Sequence, residues 1–135
     1  MDGVSLERVS WSRYSKFPWL EPRQLSILIW HYHDDDVPGP EATVEMRING
    51  LAVQEGELRL THYRIDERHS NAYAEWQRMR SPPSPDRGQY NRLLAASNLA
   101  TLDDAPARVI VRHGIATLSF PLPRQAVSLL VLEWD

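Results

Sequence analysis

Leu25-Ser-Ile-Leu-Ile-Trp30 runs directly into His31-Tyr-His-Asp-Asp-Asp-Val-Pro-Gly-Pro40. The first six residues are apolar at nearly every position, so residues 25–32 read as a strand buried on both faces, which places it centrally in a sheet. Pro38 and Pro40 lack the N–H that a ladder needs, so Val37-Pro38-Gly39-Pro40 reads as a loop. Between strand and loop, two histidines stand beside three adjacent carboxylates that repel one another. A packed core has no use for that arrangement. The segment His31–Asp36 is therefore expected to face water, a metal, a sugar or another domain.

Strands and turns continue outward from this stretch. Residues 41–49 alternate, with Ala42, Val44, Met46 and Ile48 in one phase and Thr43, Glu45, Arg47 and Asn49 in the other, which is the pattern of a half-buried strand. Asn49-Gly50 signals the turn that ends it. A third strand is read over residues 57–66. Ala72, Tyr73, Trp76 and Met79 recur at helical spacing within Ser70–Arg80, with Ser70 or Asn71 placed to cap the start. Ser81-Pro82-Pro83-Ser84-Pro85 stops that helix. A second helix, roughly Asp86 to Ser97, carries Tyr90, Leu93 and Leu94 on one side, with Asp86 as its cap. Strands return at Arg108–Arg112 and Ile115–Phe120 around His113-Gly114, a tight hairpin signal. Pro121 and Pro123 are expected to break the ladder. Val127–Trp134 is nearly all apolar and should again be central. The expectation is mainly β: an antiparallel β-sandwich of about six or more strands, with two short helices inserted in one long connection. Residues 1–24 show no period and read as an irregular N-terminal arm; residues 25–135 form the sandwich domain.

Composition narrows the chemistry. The 135 residues make one domain, and the formal charge of −3, with no basic patch, argues against nucleic acid. No apolar run is long enough for a membrane span. Without cysteine there are no disulfides, thiolate metal sites or thiol nucleophiles. Met1–Leu20 lacks the apolar core of a signal peptide, so a cytoplasmic location is expected. Five tryptophans and five tyrosines mostly suit a core, and Trp30, Trp76 and Trp134 sit in apolar patterns that read as buried. The other use of such rings is stacking on sugars, which makes a carbohydrate-binding module an alternative.

Two polar blocks carry the candidate chemistry. His31 and His33 share one strand face, and with His62 or an aspartate they would supply ligands for zinc or iron, against the plainer reading that they hydrogen-bond neighbouring loops. Asp34, Asp35 and Asp36 would have to set two carboxylates about 5–5.5 Å or about 6.5–9.5 Å apart to act as a glycosidase pair. Adjacent aspartates on a loop are normally solvated. No Gly-x-Ser-x-Gly elbow or Gly-rich phosphate loop is present. The second block, Thr61 to Asn71, crowds His62, Arg64, Asp66, His69 and Asn71 between a strand end and a helix entry. It serves either as a docking or sugar-facing rim, or structurally, with Arg64 paired to Asp66 or Glu67 and Ser70 or Asn71 capping.

Three stretches together carry a family resemblance: Ile29-Trp-His-Tyr-His-Asp-Asp-Asp-Val-Pro-Gly-Pro40; Leu60-Thr-His-Tyr-Arg-Ile-Asp66 running into His69-Ser-Asn-Ala-Tyr73; and Leu122-Pro-Arg-Gln-Ala-Val-Ser-Leu-Leu-Val-Leu-Glu-Trp134. With the Trp76–Tyr90 segment, they resemble the C-terminal β-sandwich of glycoside hydrolase family 39, the β-xylosidase and α-L-iduronidase family, from about residue 25 to 134. The resemblance implies a partner: the family's catalytic (β/α)₈ barrel, which carries an Asn-Glu-Pro acid/base motif and a second glutamate. This chain has no Asn-Glu-Pro, and a barrel needs about 250 residues. The resemblance thus implies a non-catalytic accessory domain with no catalytic residue and no cofactor, from a truncated gene or a split enzyme. The barrel would be supplied in cis or by a neighbouring chain. Xylan-type sugars and a homo-oligomer are further partners compatible with it. His31 to Asp36 and His62 to Asn71 become candidates for interdomain contact.

Overall fold

The computed structural model describes residues 23–35 and 37–135. Most of the expected N-terminal arm, with Trp11, Tyr14, Phe17 and Trp19, lies outside them, as does Asp36; Gln24, read as part of the arm, is the first residue of a strand. The elements are β1 (Gln24–His31), β2 (Ala42–Ile48), β3 (Glu55–Ile65), α1 (Ala72–Arg78), α2 (Arg87–Ser97), β4 (Ala100–Thr101), β5 (Arg108–Arg112), β6 (Ile115–Leu122) and β7 (Ala126–Glu133). The protein is mainly β and antiparallel throughout, with both helices in the one long connection between β3 and β4.

The strands form one seven-stranded sheet in the order β1-β7-β3-β5-β6-β2, with β4 added to β3. The long strand β3 is its spine. Arg59 pairs with Arg108 on β5 and with Glu133 on β7; residues before it follow β5 and residues after it follow β7. The sheet therefore has two arms, and it curls until they meet. His31 Nδ1 of β1 donates to the Leu122 carbonyl of β6 at 3.0 Å, although the two strands lie far apart in sheet order. One apolar cluster fills the concave side and includes Leu25 and Ile29 from one edge strand and Val44 and Ile48 from the other. The sandwich expected from the sequence is thus a single sheet folded on itself.

Two strand assignments need correction. Among the described residues β1 is an edge strand, not a central one: its residues alternate, with Leu25, Ile27, Ile29 and His31 buried and Leu28 facing out. It looked two-sided because its outer residues, Leu28 and Trp30, are themselves apolar. Pro121 does not break the ladder, since β6 runs through it to Leu122. Pro121 lies opposite Thr43 of β2, while β5 accompanies β6 only at Ile115 and Ala116, so the other flank has no strand to receive an N–H there. The expectation for Val127–Trp134 holds for the strand: β7 lies between β1 and β3 with Leu130 and Leu132 fully buried. Trp134 lies one residue past it and is half-buried, as are Trp30 and Trp76.

Local chemistry accounts for the connections. Asn71 caps α1 by accepting from Ala74 N at 2.9 Å. Asp86 caps α2 in a reciprocal box, accepting from Gln89 N while the Gln89 side chain accepts from Asp86 N. Glu75 of α1 pairs with Arg78 and with Arg92 of α2, and these partners hold its carboxyl below the usual range. In the β5–β6 hairpin both turn residues have positive φ, His113 at 53° and Gly114 at 71°, the mirror-image turn that matches strand twist. A Cβ on Gly114 would also stand 3.0 Å from the Gln54 side chain. Gly114→Ala is accordingly expected to lower the unfolding free energy by about 1–2 kcal/mol, read from the urea midpoint; an unchanged midpoint would show the turn relaxing to another type.

Candidate functional site

The two polar blocks converge on the seam where the arms of the sheet meet, and His31, His62 and Arg64 point inward there. In the first block, β1 ends at His31, whose ring is buried on the concave side. Because a carbonyl only accepts, the Leu122 oxygen fixes the proton of His31 on Nδ1. Its Nε2 is left to accept from His33 Nε2–H at 2.8 Å, with the rings edge to face. His33 lies beyond the strand, so the two rings do not share a strand face; they meet because the chain turns. Gln125 holds that turn. Its Nε2 donates to the carbonyls of His33 (2.7 Å) and Asp35 (2.9 Å), its Oε1 accepts from His33 N, and its backbone N–H donates to His31 O. Arg124 donates to Asp35. Asp34 and Asp35 are exposed and Asp36 lies outside the described residues, so the aspartates form no convergent pair among those described.

The second block lies on the concave face of β3. Leu58, Leu60, His62 and Arg64 point inward in phase, and Arg64 is in register with Ser128 of β7. Ser128 is 0 % exposed, Arg64 3 % and His62 4 %. The serine hydroxyl oxygen accepts from Arg64 Nε at 3.0 Å and lies 2.8 Å from His62 Nε2. Arg64 Nη2 reaches across the seam to the Pro121 carbonyl of β6 at 2.9 Å, and Phe120 of β6 stacks edge-on against His62. Burial, reinforced by the adjacent guanidinium, pushes His62 down to about 4, so the ring is neutral at physiological pH. Burial also pulls Arg64 down, opposed by the carboxylate of Asp66.

Asp66, just past β3, faces Arg64 at 3.6 Å. It also accepts from the backbone N–H groups of Arg68 and His69 and from His69 Nδ1, each at 2.8 Å. Burial raises its pKa, but these donors win and hold the carboxyl below its ordinary range. Asn71 donates to the Asp66 carbonyl. Ser70 donates to the Arg64 carbonyl and accepts from Ala100 N, which ties β4 to the same cluster.

His31 and His33 meet, and His62, Arg64, Asp66, His69 and Asn71 form one connected chain, but nearly every donor and acceptor is satisfied by the protein itself. Ser128 beside His62 has the spacing of a nucleophile and base, yet Arg64 occupies the same oxygen and no solvent reaches it. No group of three or more His, Asp or Glu side chains able to hold a metal occurs among the described residues. A shallow depression on β2 and β6 is open to solvent, and Glu45 is the only carboxylate lining it. The sequence reading missed Ser128 and Gln125, the two residues that organise the blocks. Ser128 carried a signal: it is a hydroxyl in the inward phase of an otherwise apolar strand, which requires a buried partner.

This curled antiparallel sheet with a helical pair after its spine strand is a fold that glycoside hydrolase family 39 enzymes carry as a fraction of their length. The GH39 enzyme from Xanthomonas axonopodis pv. citri matches with a TM-score of 0.70 at 21% identity, over 86% of this chain and 25% of that one. A bacterial orthologue of human α-L-iduronidase matches at 0.66 and 23% identity, over 83% and 20%. A monomeric β-xylosidase from Caulobacter crescentus CB15 matches at 0.60 and 20% identity, over 82% and 24%. The chain thus spans a quarter or less of the length of these enzymes. No family model and no curated protein matches it.

Proposed function

We propose that this chain is the accessory β-sandwich of a family 39 type glycosidase, packing on a catalytic (β/α)₈ barrel that lies outside these 135 residues. The observation that carries this reading is the lopsided coverage: nearly all of this chain aligns in fold with about a quarter of each enzyme. The three sequence stretches that resemble the family point the same way. In this reading the buried seam of His31, His62, Arg64 and Ser128 holds the sheet in its curled shape, and the glycosidic bond is broken elsewhere. Site chemistry and not fold decides activity, so the reading is tested on the purified chain with an aryl β-xyloside. The expected result is no release of aglycone above the blank. Turnover that follows the protein through purification and is lost in Asp66→Asn would overturn it.

A further inference from the structure

We infer that the convex face of β1, β7 and β3 is the surface that seats against the catalytic portion, an inference that rests on the accessory-domain reading above. The two arms of the sheet differ on their outer sides. On β2, β5 and β6, with the first half of β3, the outward residues include Glu45, Arg47, Glu57, Arg108 and Arg112, all exposed, with Glu57 paired to Arg108, and a single exposed Ile110 stands isolated between Arg108 and Arg112. Register places a different chemistry on the other arm. Leu28, Leu129 and Tyr63 lie side by side in one row, and Trp30, Val127 and Ile65 in the next. Leu28 is 51 % exposed and Ile65 41 %, while the residues between them are half-buried. The face carries no charge until Arg59 and Glu133, which pair with each other at its far end. β1, its border, is the sheet edge among the described residues and has no charged or proline residue from Gln24 to Trp30, whereas natural edges are normally blunted by such residues. The largest apolar patch of a monomer is often functional, and this one adjoins an unblunted sheet edge.

Size selects the occupant. Six residues of strand at about 3.3 Å each and three strands about 4.8 Å apart give a face of roughly 300 Å². A stable dimer buries about 800 Å² per partner, so a second copy is poorly served. Contacts between domains of one enzyme bury about 600–1,500 Å² in total, and this face reaches the lower end of that range. The enzymes of like fold have three quarters or more of their chain beyond the matched part, and that portion needs a surface to meet.

The test uses the remainder of the Xanthomonas enzyme, the part this chain does not cover, co-expressed with the full 135-residue chain. Leu28→Glu and Ile65→Lys alter exposed side chains, and unchanged melting of each variant confirms its fold. Arg47→Glu, on the charged arm, is the control. Expected are co-purification with the unaltered chain and with Arg47→Glu, slowed amide exchange over residues 61–65 and 126–131, and affinity reduced at least about tenfold in the two apolar-face variants, since a charge is buried without a partner. Binding that Leu28→Glu and Ile65→Lys leave intact overturns this face and spares the accessory-domain reading. Failure of the unaltered chain to bind overturns both. A dimer of the chain alone that Leu28→Glu abolishes assigns the face to a second copy and overturns the stated occupant.

Discussion

Asp66→Ala is expected to lower the unfolding free energy by about 3–5 kcal/mol, the range found when one member of a buried ion pair is removed. Arg64 is almost completely buried, and Asp66 is its ion-pair partner. Without the carboxylate, the guanidinium keeps its bonds to Ser128 and the Pro121 carbonyl but loses the charge that offsets its desolvation. The same change strands the N–H groups of Arg68 and His69, which the Asp66 side chain now satisfies. Asp66→Asn separates the two losses. The amide oxygen can still accept from both backbone groups, so the loss should fall to about half and report the missing charge alone. Urea denaturation of both variants at pH 7 measures this. Equal losses would show that the charge facing Arg64, and not the backbone contacts, makes Asp66 necessary; a loss confined to Asp66→Ala would assign it to the backbone contacts, with Arg64 compensated from elsewhere.

How far this cluster could be read in the sequence depends on which physics placed each part. Local chemistry was legible. The alternation of Val44, Met46 and Ile48, the caps at Asn71 and Asp86, and the turn at His113-Gly114 all follow from preferences that act over a few residues. The position of a strand in the sheet was not legible, because it depends on partners about a hundred residues away, as His31 on Ala126. An apolar strand is taken as central when both faces are greasy, and β1 is greasy outside while sitting at an edge. His31, His62 and Arg64 were legible as polar but not as internal. Yet the phase of Leu58, Leu60, His62 and Arg64 already put the last two on the buried side of β3. Polarity alone suggested a surface, and the period of two, which is the stronger constraint here, placed both side chains inside. The curling of the sheet was beyond local reading altogether. It emerges only when Arg64 and His31 reach the Pro121 and Leu122 carbonyls on the opposite arm.

Acid should weaken the fold well before its carboxylates titrate, and His62 is the reason. Its pKa falls from 6.5 to about 4 in the folded state, because burial and the Arg64 guanidinium both disfavour the imidazolium. In the unfolded chain the ring takes up a proton near pH 6.5. Between those values the unfolded state binds more protons than the folded one, so stability rises with pH and is lost as pH falls. The contribution is complete above about pH 6.5, declines by about 1.4 kcal/mol for each pH unit below it, and levels off near pH 4 after a loss of about 3 kcal/mol. Asp66 acts in a lower window. Its folded pKa lies beneath 3.8, so its contribution is lost only as pH falls below the ordinary carboxylate range. Unfolding free energies at pH 7, 6, 5 and 4.5 should therefore trace a slope that His62→Gln reduces by close to one proton. The glutamine amide can still reach Ser128 Oγ, so stability at pH 7 falls by less than the slope change accounts for at pH 4.5. If the variant keeps the full slope of the parent chain, the protons enter through other groups, and the neutral imidazole is not what binds the seam together above pH 6.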